Sequence, residues 1–262
     1  MLGRRERQGV PAHRTLDELL VGYESFREEL KATKLTLAPA EEWYPYESLN
    51  NVWALDALLS PENRDLGKLA GGRPVADIGA GDGDIAFLLA RHGFAVDIVD
   101  YGPTNWNQLR GARMLAKQFR TGVRVYETDL DDQFTLPRTS YGLILFLGIL
   151  YHLQNPIYAL RHLSAVADHL LLSTRVAQVT ADGAVRLADA PVAYLVDPTE
   201  TNNDPTNWWI FSPPGLSRLL DRTGWDVLDS CTHGRTEGDS DPSSDDRDER
   251  TFLLLRSRQR MG

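Results

Sequence analysis

VADIGAGDGDIAFLLARHG, residues 75–93, is the stretch that decides how the chain folds. Its first residues are apolar apart from Asp77 and have the length of a buried strand. Gly79, Gly81 and Gly83 then alternate with small or acidic residues, and DIAFLLAR reads as a helix that stops at Gly93. Strand, glycine turn and helix in that order let a ligand approach the backbone at a helix N-terminus. A dinucleotide fingerprint, G-x-G-x-x-G, requires glycine at position 84, and Asp84 stands there. Asp77, two positions before the first glycine, suits a cationic group better than a pyrophosphate.

The alternation continues outward. FAVDIVD (94–100) predicts a strand, NWNQLRGARMLAKQFR (105–120) a helix, VRVYETDL (123–130) a strand and YGLILFLG (141–148) a fully buried strand. Asn155-Pro156 opens a helix to about Ala167, HLLLSTRV (169–176) is the next strand, and Ser212-Pro213 opens another helix. WDVLDSC and TFLLLRSR close the pattern as an antiparallel hairpin. The polar run EGDSDPSSDDRDER (237–250) between them predicts a flexible loop. The expected fold class is α/β and Rossmann-like, a seven-stranded, mostly parallel sheet with helices on both faces. Upstream, Thr15 caps a helix over LDELLVGYESFREELKATK, and Val52, Leu55 and Leu58 mark a helical face before Ser60-Pro61. Residues 1–65 are read as a helical and aromatic extension that serves as a lid. Residues 66–262 are read as the main domain, with an insertion at about 177–209.

Composition narrows the function. The 262 residues carry 28 Lys plus Arg against 37 Asp plus Glu, a formal net charge of −9. That balance argues against an affinity built on neutralising many phosphates, so nucleic acid is not the expected partner. Cys231 is the single cysteine, which excludes an intrachain disulfide and a multi-cysteine zinc site. No His/Asp/Glu spacing forms a metal site, and Cys231 itself reads as an inert thiol on a buried strand. The basic N-terminus lacks the apolar run of a secretory signal, and LILFLGIL (143–150) is far short of the roughly 20 residues of a membrane span. A cytoplasmic monomer or homodimer, off the membrane, is the expectation.

Two more carboxylates fall in register with the glycine turn. Asp100, beside Tyr101, ends the next strand, where it can accept both hydroxyls of a ribose. Asp129, followed by Leu130, ends the third strand, where an adenine edge would lie. An amino acid joined to adenosine unites these features. The acidic-x-G-x-G-x-G turn with acids after strands two and three resembles the class I S-adenosylmethionine-dependent methyltransferases. That resemblance implies S-adenosyl-L-methionine as methyl donor and S-adenosyl-L-homocysteine as product. It implies Asp77 on the methionine ammonium, Gly79 and Gly81 making room, Asp100 at the ribose, Asp129 and Leu130 at the adenine, and Tyr101 among the cofactor-binding residues. Leu147 and Gly148 would line the sulfonium side.

Strand four leads into GILYHLQNP (148–156), at the point where a methyl acceptor meets the sulfonium in this fold. Tyr151 and His152 are the candidate catalytic residues, since an imidazole titrating near neutrality suits a hydroxyl that must lose its proton. The competing reading is that His152 only holds the loop. His92, His162 and His169 read as structural or solvated. Aromatic residues cluster at Trp43, Tyr44, Tyr46 and Trp53, and again at Trp208, Trp209 and Phe211. Packing accounts for many of them, Trp53 above all, and Tyr44, Asp204 and Trp208 are the candidate acceptor contacts.

GILYH, Trp43-Tyr44-Pro45-Tyr46 and the helix at Ser212-Pro213 also resemble relatives of the tRNA wobble-uridine 5-oxyacetic acid (carboxymethyl) synthases. Leu153-Gln154 stand where that group is basic. The leading expectation is therefore O-methylation of a small or medium hydroxylated acceptor, a sugar or specialised metabolite. A tRNA wobble-uridine methyl or carboxymethyl transferase and a non-catalytic cofactor-binding regulator are the alternatives.

Overall fold

The computed structural model describes residues 13–243 and 245–260. Four helices precede the sheet: α1 (Leu16–Val21), α2 (Tyr23–Leu37), α3 (Asn51–Leu58) and α4 (Leu66–Ala70). Thr15 caps α1 in a reciprocal pair with Glu18, as its sequence predicts. The single helix expected over residues 16–34 is broken at Gly22, which ends α1 and precedes α2.

The alternating part then runs β1 (Val75–Ile78), α5 (Asp84–Arg91), β2 (Val96–Asp100), α6 (Arg110–Phe119), β3 (Arg124–Glu127), β4 (Tyr141–Leu147), α7 (Pro156–Val166) and β5 (Ala167–Val176). The last part holds β6 (Ala193–Leu195), β7 (Trp209–Phe211), α8 (Pro213–Arg222), β8 (Trp225–Gly234) and β9 (Glu249–Ser257). Sheet order is β3-β2-β1-β4-β5, all parallel, with β9 antiparallel along β5 and β8 antiparallel outside it. The expected seven strands are these. The insertion adds β6 and β7, a hairpin of three-residue strands that extends the sheet beyond the end of β5 at Val176–Phe211.

Side-chain alternation builds two cores. Leu143 and Leu145 of β4 and Phe252 and Leu254 of β9 face α1–α3 and α5. Ile144, Phe146, Leu253 and Leu255 face α7 and α8. The N-terminal helices share the first core with β1, β2 and α5 through Leu19, Phe26, Leu30 and Trp43. Trp53, expected to be packed, is half exposed, with its ring edge-on to Tyr23.

Two further expectations change. The helix predicted over 105–120 begins only at Arg110, because Asn105 and Asn107 turn their side chains to Asp100 and Asp82 and Leu109 lies at φ 64°. The run 237–250 is drawn onto the sheet rather than hanging free. Ser240 accepts hydrogen bonds from the Gln178 and Val179 amides, Pro242 accepts one from Thr201, and Arg247 pairs with the buried Asp241 at 2.9 Å. Cys231 is half-buried on β8, 3.4 Å from His233 Nε2. Among the described residues, no helix is long and apolar enough to cross a membrane, and no group of His, Cys, Asp and Glu could hold a metal ion.

Candidate active site

The carboxyl ends of β1, β2, β3 and β4 lie side by side, and the expected cofactor residues occupy them. Asp77 on β1 lies level with Ile98 and Leu145 on its neighbours. Asp100 ends β2, Asp129 and Leu130 follow β3, and Leu147 ends β4. The connection from β1 to α5 turns through Gly79, Gly81 and Gly83, all in the left-handed region. There glycine avoids the clash an L side chain would meet. A Cβ on Gly79 would stand 2.1 Å from Ile149 Cδ1.

Asp77 is 5% exposed, and burial pushes its carboxyl up to about 7. The charges that act on it, Asp100 and Asp84, are negative and push the same way, against a hydrogen bond from the Ala86 amide. Burial and neighbouring negative charge thus act together against the ionised form of this carboxyl. Asp100 accepts from Tyr101 N at 2.8 Å, Asn105 Nδ2 at 2.9 Å and Gly81 N at 3.2 Å, while burial raises its pKa. Asp129 accepts from the Asp131 amide at 2.9 Å.

The N-terminal segment closes over the glycine turn through Asp82, which is 1% exposed. Asp82 accepts from the Tyr44 amide at 2.9 Å and Asn107 Nδ2 at 2.7 Å, and Lys34 of α2 bridges Asp82 and Asp84 at 3.1 and 2.8 Å. Tyr44 is thereby held against Gly81, its ring 3.1 Å from where a Cβ would stand. Burial, then the nearby Tyr151, Tyr46 and Asp100, push the Tyr44 hydroxyl up to about 12, so it stays protonated.

Beyond the end of β4, Tyr151 and His152 sit in a single turn over Leu150–His152, their rings 4.4 Å apart. Arg250, at the start of β9, donates from Nη1 to the Tyr151 hydroxyl at 3.2 Å and lies over its ring. Both groups border Gly148, where a Cβ would stand 3.4 Å from the Tyr151 hydroxyl and 3.6 Å from Arg250 Nη1. Burial disfavours the Arg250 charge, but Tyr151 and Asp248 outweigh it and hold the guanidinium protonated. The insertion supports this corner. Trp208 donates its amide to Tyr151 O at 2.8 Å, and His152 Nδ1 lies 2.9 Å from Thr206 Oγ1 and 3.3 Å from Thr206 O. Asp204 accepts from the Thr206 hydroxyl at 2.6 Å, and the Trp208 side chain is 38% exposed. Burial lowers the pKa of His152, against the charge of Asp204, so the ring is neutral at pH 7.

The structure thus brings Asp77, Asp100, Tyr44 and Tyr151 within electrostatic reach of one another at the carboxyl edge of the sheet. Asp82 of the glycine turn joins them, as do Arg250, Lys34 and Thr206, which have no sign in their local sequence.

Comparison with known proteins is consistent with this arrangement. Residues 55–230 match the family model described as "Methyltransferase domain". No curated protein sequence matches the chain. Among solved structures, the N-terminal domain of EvdMO1, crystallised in the presence of SAH and D-fucose, superposes with a TM-score of 0.60 at 17% identity, covering 88% of this chain and 97% of that one. The [4+2]-cyclase SpnF gives 0.57 at 15% identity over 95% and 98% of the two chains. An S-adenosylmethionine-dependent methyltransferase from Mesorhizobium loti gives 0.52 at 17%, over 79% and 97%. At such identities the likeness is one of fold, and a cyclase among the neighbours shows that fold alone leaves the reaction to the site.

Proposed function

Because the chain belongs to the methyltransferase-domain family, we propose that it transfers the methyl group of S-adenosylmethionine to a hydroxyl of a small or medium acceptor, a sugar or specialised metabolite. The observation that carries the cofactor part is Asp77, a buried carboxylate whose charged neighbours are acidic and which an ammonium would complete. In this reading Gly79 and Gly81 let the cofactor lie against the backbone, and Asp100 and Tyr101 meet the ribose. Asp129 and Leu130 flank the adenine, and Leu147 borders the sulfur. S-adenosylmethionine supplies a methyl carbon made electrophilic by its sulfonium, and S-adenosylhomocysteine leaves as product.

The residues at the end of β4 do the rest. Tyr44 and the segment anchored on Asp82 shield the site from water, so the described part of the 1–65 extension acts as a lid on the main domain, residues 1–12 lying outside the described residues. His152, neutral at pH 7, takes the hydroxyl proton. Arg250 and the Tyr151 hydroxyl steady the negative charge that grows on the acceptor oxygen. Trp208, partly exposed, would contact a sugar or a planar acceptor. The tRNA reading rests on its motif resemblance alone, and the acidic balance of the chain gives it no further support.

Two results test this. Cofactor affinity should follow the ionisation of Asp77. Below pH 7 the ammonium must displace a proton, so affinity should fall by about tenfold per pH unit and level off above pH 7. Calorimetry in buffers of different ionisation enthalpy should detect one proton released at pH 6. A pH-independent affinity would show that Asp77 is already ionised in the free protein, and an affinity unchanged in Asp77→Asn would remove it from the site. His152→Ala should bind S-adenosylmethionine normally and lose about a hundredfold or more in turnover at saturating acceptor. Tight binding with no turnover of any hydroxylated acceptor would favour the regulatory alternative.

A further inference from the structure

His152 does not stand alone. Its Nδ1 faces two oxygens of Thr206, the carbonyl at 3.3 Å and the hydroxyl at 2.9 Å. The carbonyl can only accept. The hydroxyl has one proton, and the Asp204 carboxylate, 2.6 Å away and itself acceptor-only when ionised, receives it. Asp204 is fixed in turn by the Thr206 amide at 2.9 Å. Every partner on this side of the ring therefore presents a lone pair to Nδ1, which must carry the ring proton. In a neutral imidazole that leaves Nε2 bare.

We infer that Asp204 and Thr206 are positioning residues that lock His152 in its Nδ1–H tautomer, so that Nε2 is the atom that takes the acceptor's proton. The inference rests on the methyl-transfer reading given above for its use, though not for its geometry. In the step itself, Nε2 takes the hydroxyl proton while an oxygen lone pair forms the bond to the methyl carbon. The carbon–sulfur pair returns to sulfur, which loses its positive charge. His152 then carries the charge, with its Nδ1–H already aimed at Thr206 and with Asp204 behind it to stabilise the imidazolium. The other groups that bear on the ring are Arg250, which opposes that charge, and the neighbouring Tyr151. The insertion at 177–209 thus does more than enclose the acceptor. It supplies the second and third members of a proton-accepting chain whose first member lies about fifty residues earlier.

The test does not require the acceptor. In protein labelled with 15N at its six histidines, the His152 signal is identified by its loss in His152→Gln. The expected pattern is a protonated Nδ1 and an unprotonated Nε2 at neutral pH. Thr206→Val removes the hydroxyl and keeps the carbonyl, so it should weaken that preference, and Thr206→Ser should restore it, with S-adenosylhomocysteine affinity unchanged in both. With an acceptor in hand, Thr206→Val should lose about tenfold or more in turnover. Asp204→Asn should shift the acidic limb of the pH profile to lower pH, since a charge that favours the imidazolium is gone. A wild-type ring protonated at Nε2, or a preference of unchanged strength in Thr206→Val, would overturn the chain. Full turnover in His152→Ala alongside a protonated Nδ1 would remove the base reading and leave the tautomer lock standing.

Discussion

Asp100→Ala is expected to weaken S-adenosylmethionine binding by at least about a hundredfold, the largest loss of any single change at the site. A carboxylate that accepts both ribose hydroxyls makes two charge-assisted hydrogen bonds, each contributing about 1.5–3 kcal/mol. Water recovers part of this in the variant, and about 3 kcal/mol net corresponds to the hundredfold. The same carboxylate also ties Gly81, Tyr101 and Asn105 together, so the glycine turn itself loosens when it goes. Calorimetric titration measures the loss, and Asp100→Asn separates its two parts, since an amide keeps the shape without the charge. A second signature is specific to this placement. Asp100 is one of the negative charges that raise Asp77, so the pH midpoint of cofactor affinity in Asp100→Ala should move below 7. Unchanged affinity would take the ribose away from Asp100.

The second large effect concerns stability. Gly142 lies at the start of β4, where a Cβ would stand 1.8 Å from the Ala70 carbonyl oxygen and 2.4 Å from its carbon. These are backbone atoms at the end of α4, and no rotamer can relieve the overlap. Gly142→Ala should therefore push α4 off the sheet and destabilise the protein by at least about 3 kcal/mol. For a chain of this length that lowers the melting temperature by roughly 10 °C. Gly72→Ala is the fitting control. Its φ of 73° is strained for alanine, but nothing lies within 4 Å, so the loss should stay near 1 kcal/mol. Equal melting temperatures for the two variants would show that α4 yields freely.

The legible part of this molecule is its local part. The sequence from Val75 to Gly93 contains strand, turn and helix within one window, and Asp77, Asp100 and Leu147 follow from strand ends alone. The Lys34 latch depends on α2 crossing the glycine turn, a contact between residues 48 apart that no periodicity announces. Arg250 lies in a run that reads as solvated because its composition is polar. Only the antiparallel return of β9 along β5, which sets Arg250 opposite Arg175, carries it to Tyr151. Asp204 was legible as a polar group beside the aromatic cluster, but not its hydrogen bond to Thr206, which depends on the exact path of the loop. The strands β6 and β7 are illegible in the sequence for a similar reason. Three residues are too short a run to show alternation, and pairing with β5 rather than propensity makes them strands.

The backbone bonds from Gln178 and Thr201 to Ser240 and Pro242 bear on how such an enzyme can change its substrate. The two segments, which lie on either side of α8 in the sequence, are knitted together by these bonds and by the Gln178 side chain on Glu249, so a change in the path of one displaces the other. An insertion transplanted from a relative would arrive without its partner strap. Diversification of this scaffold, by evolution or by library design, should succeed when residues 177–209 and 237–250 are exchanged as a single cassette.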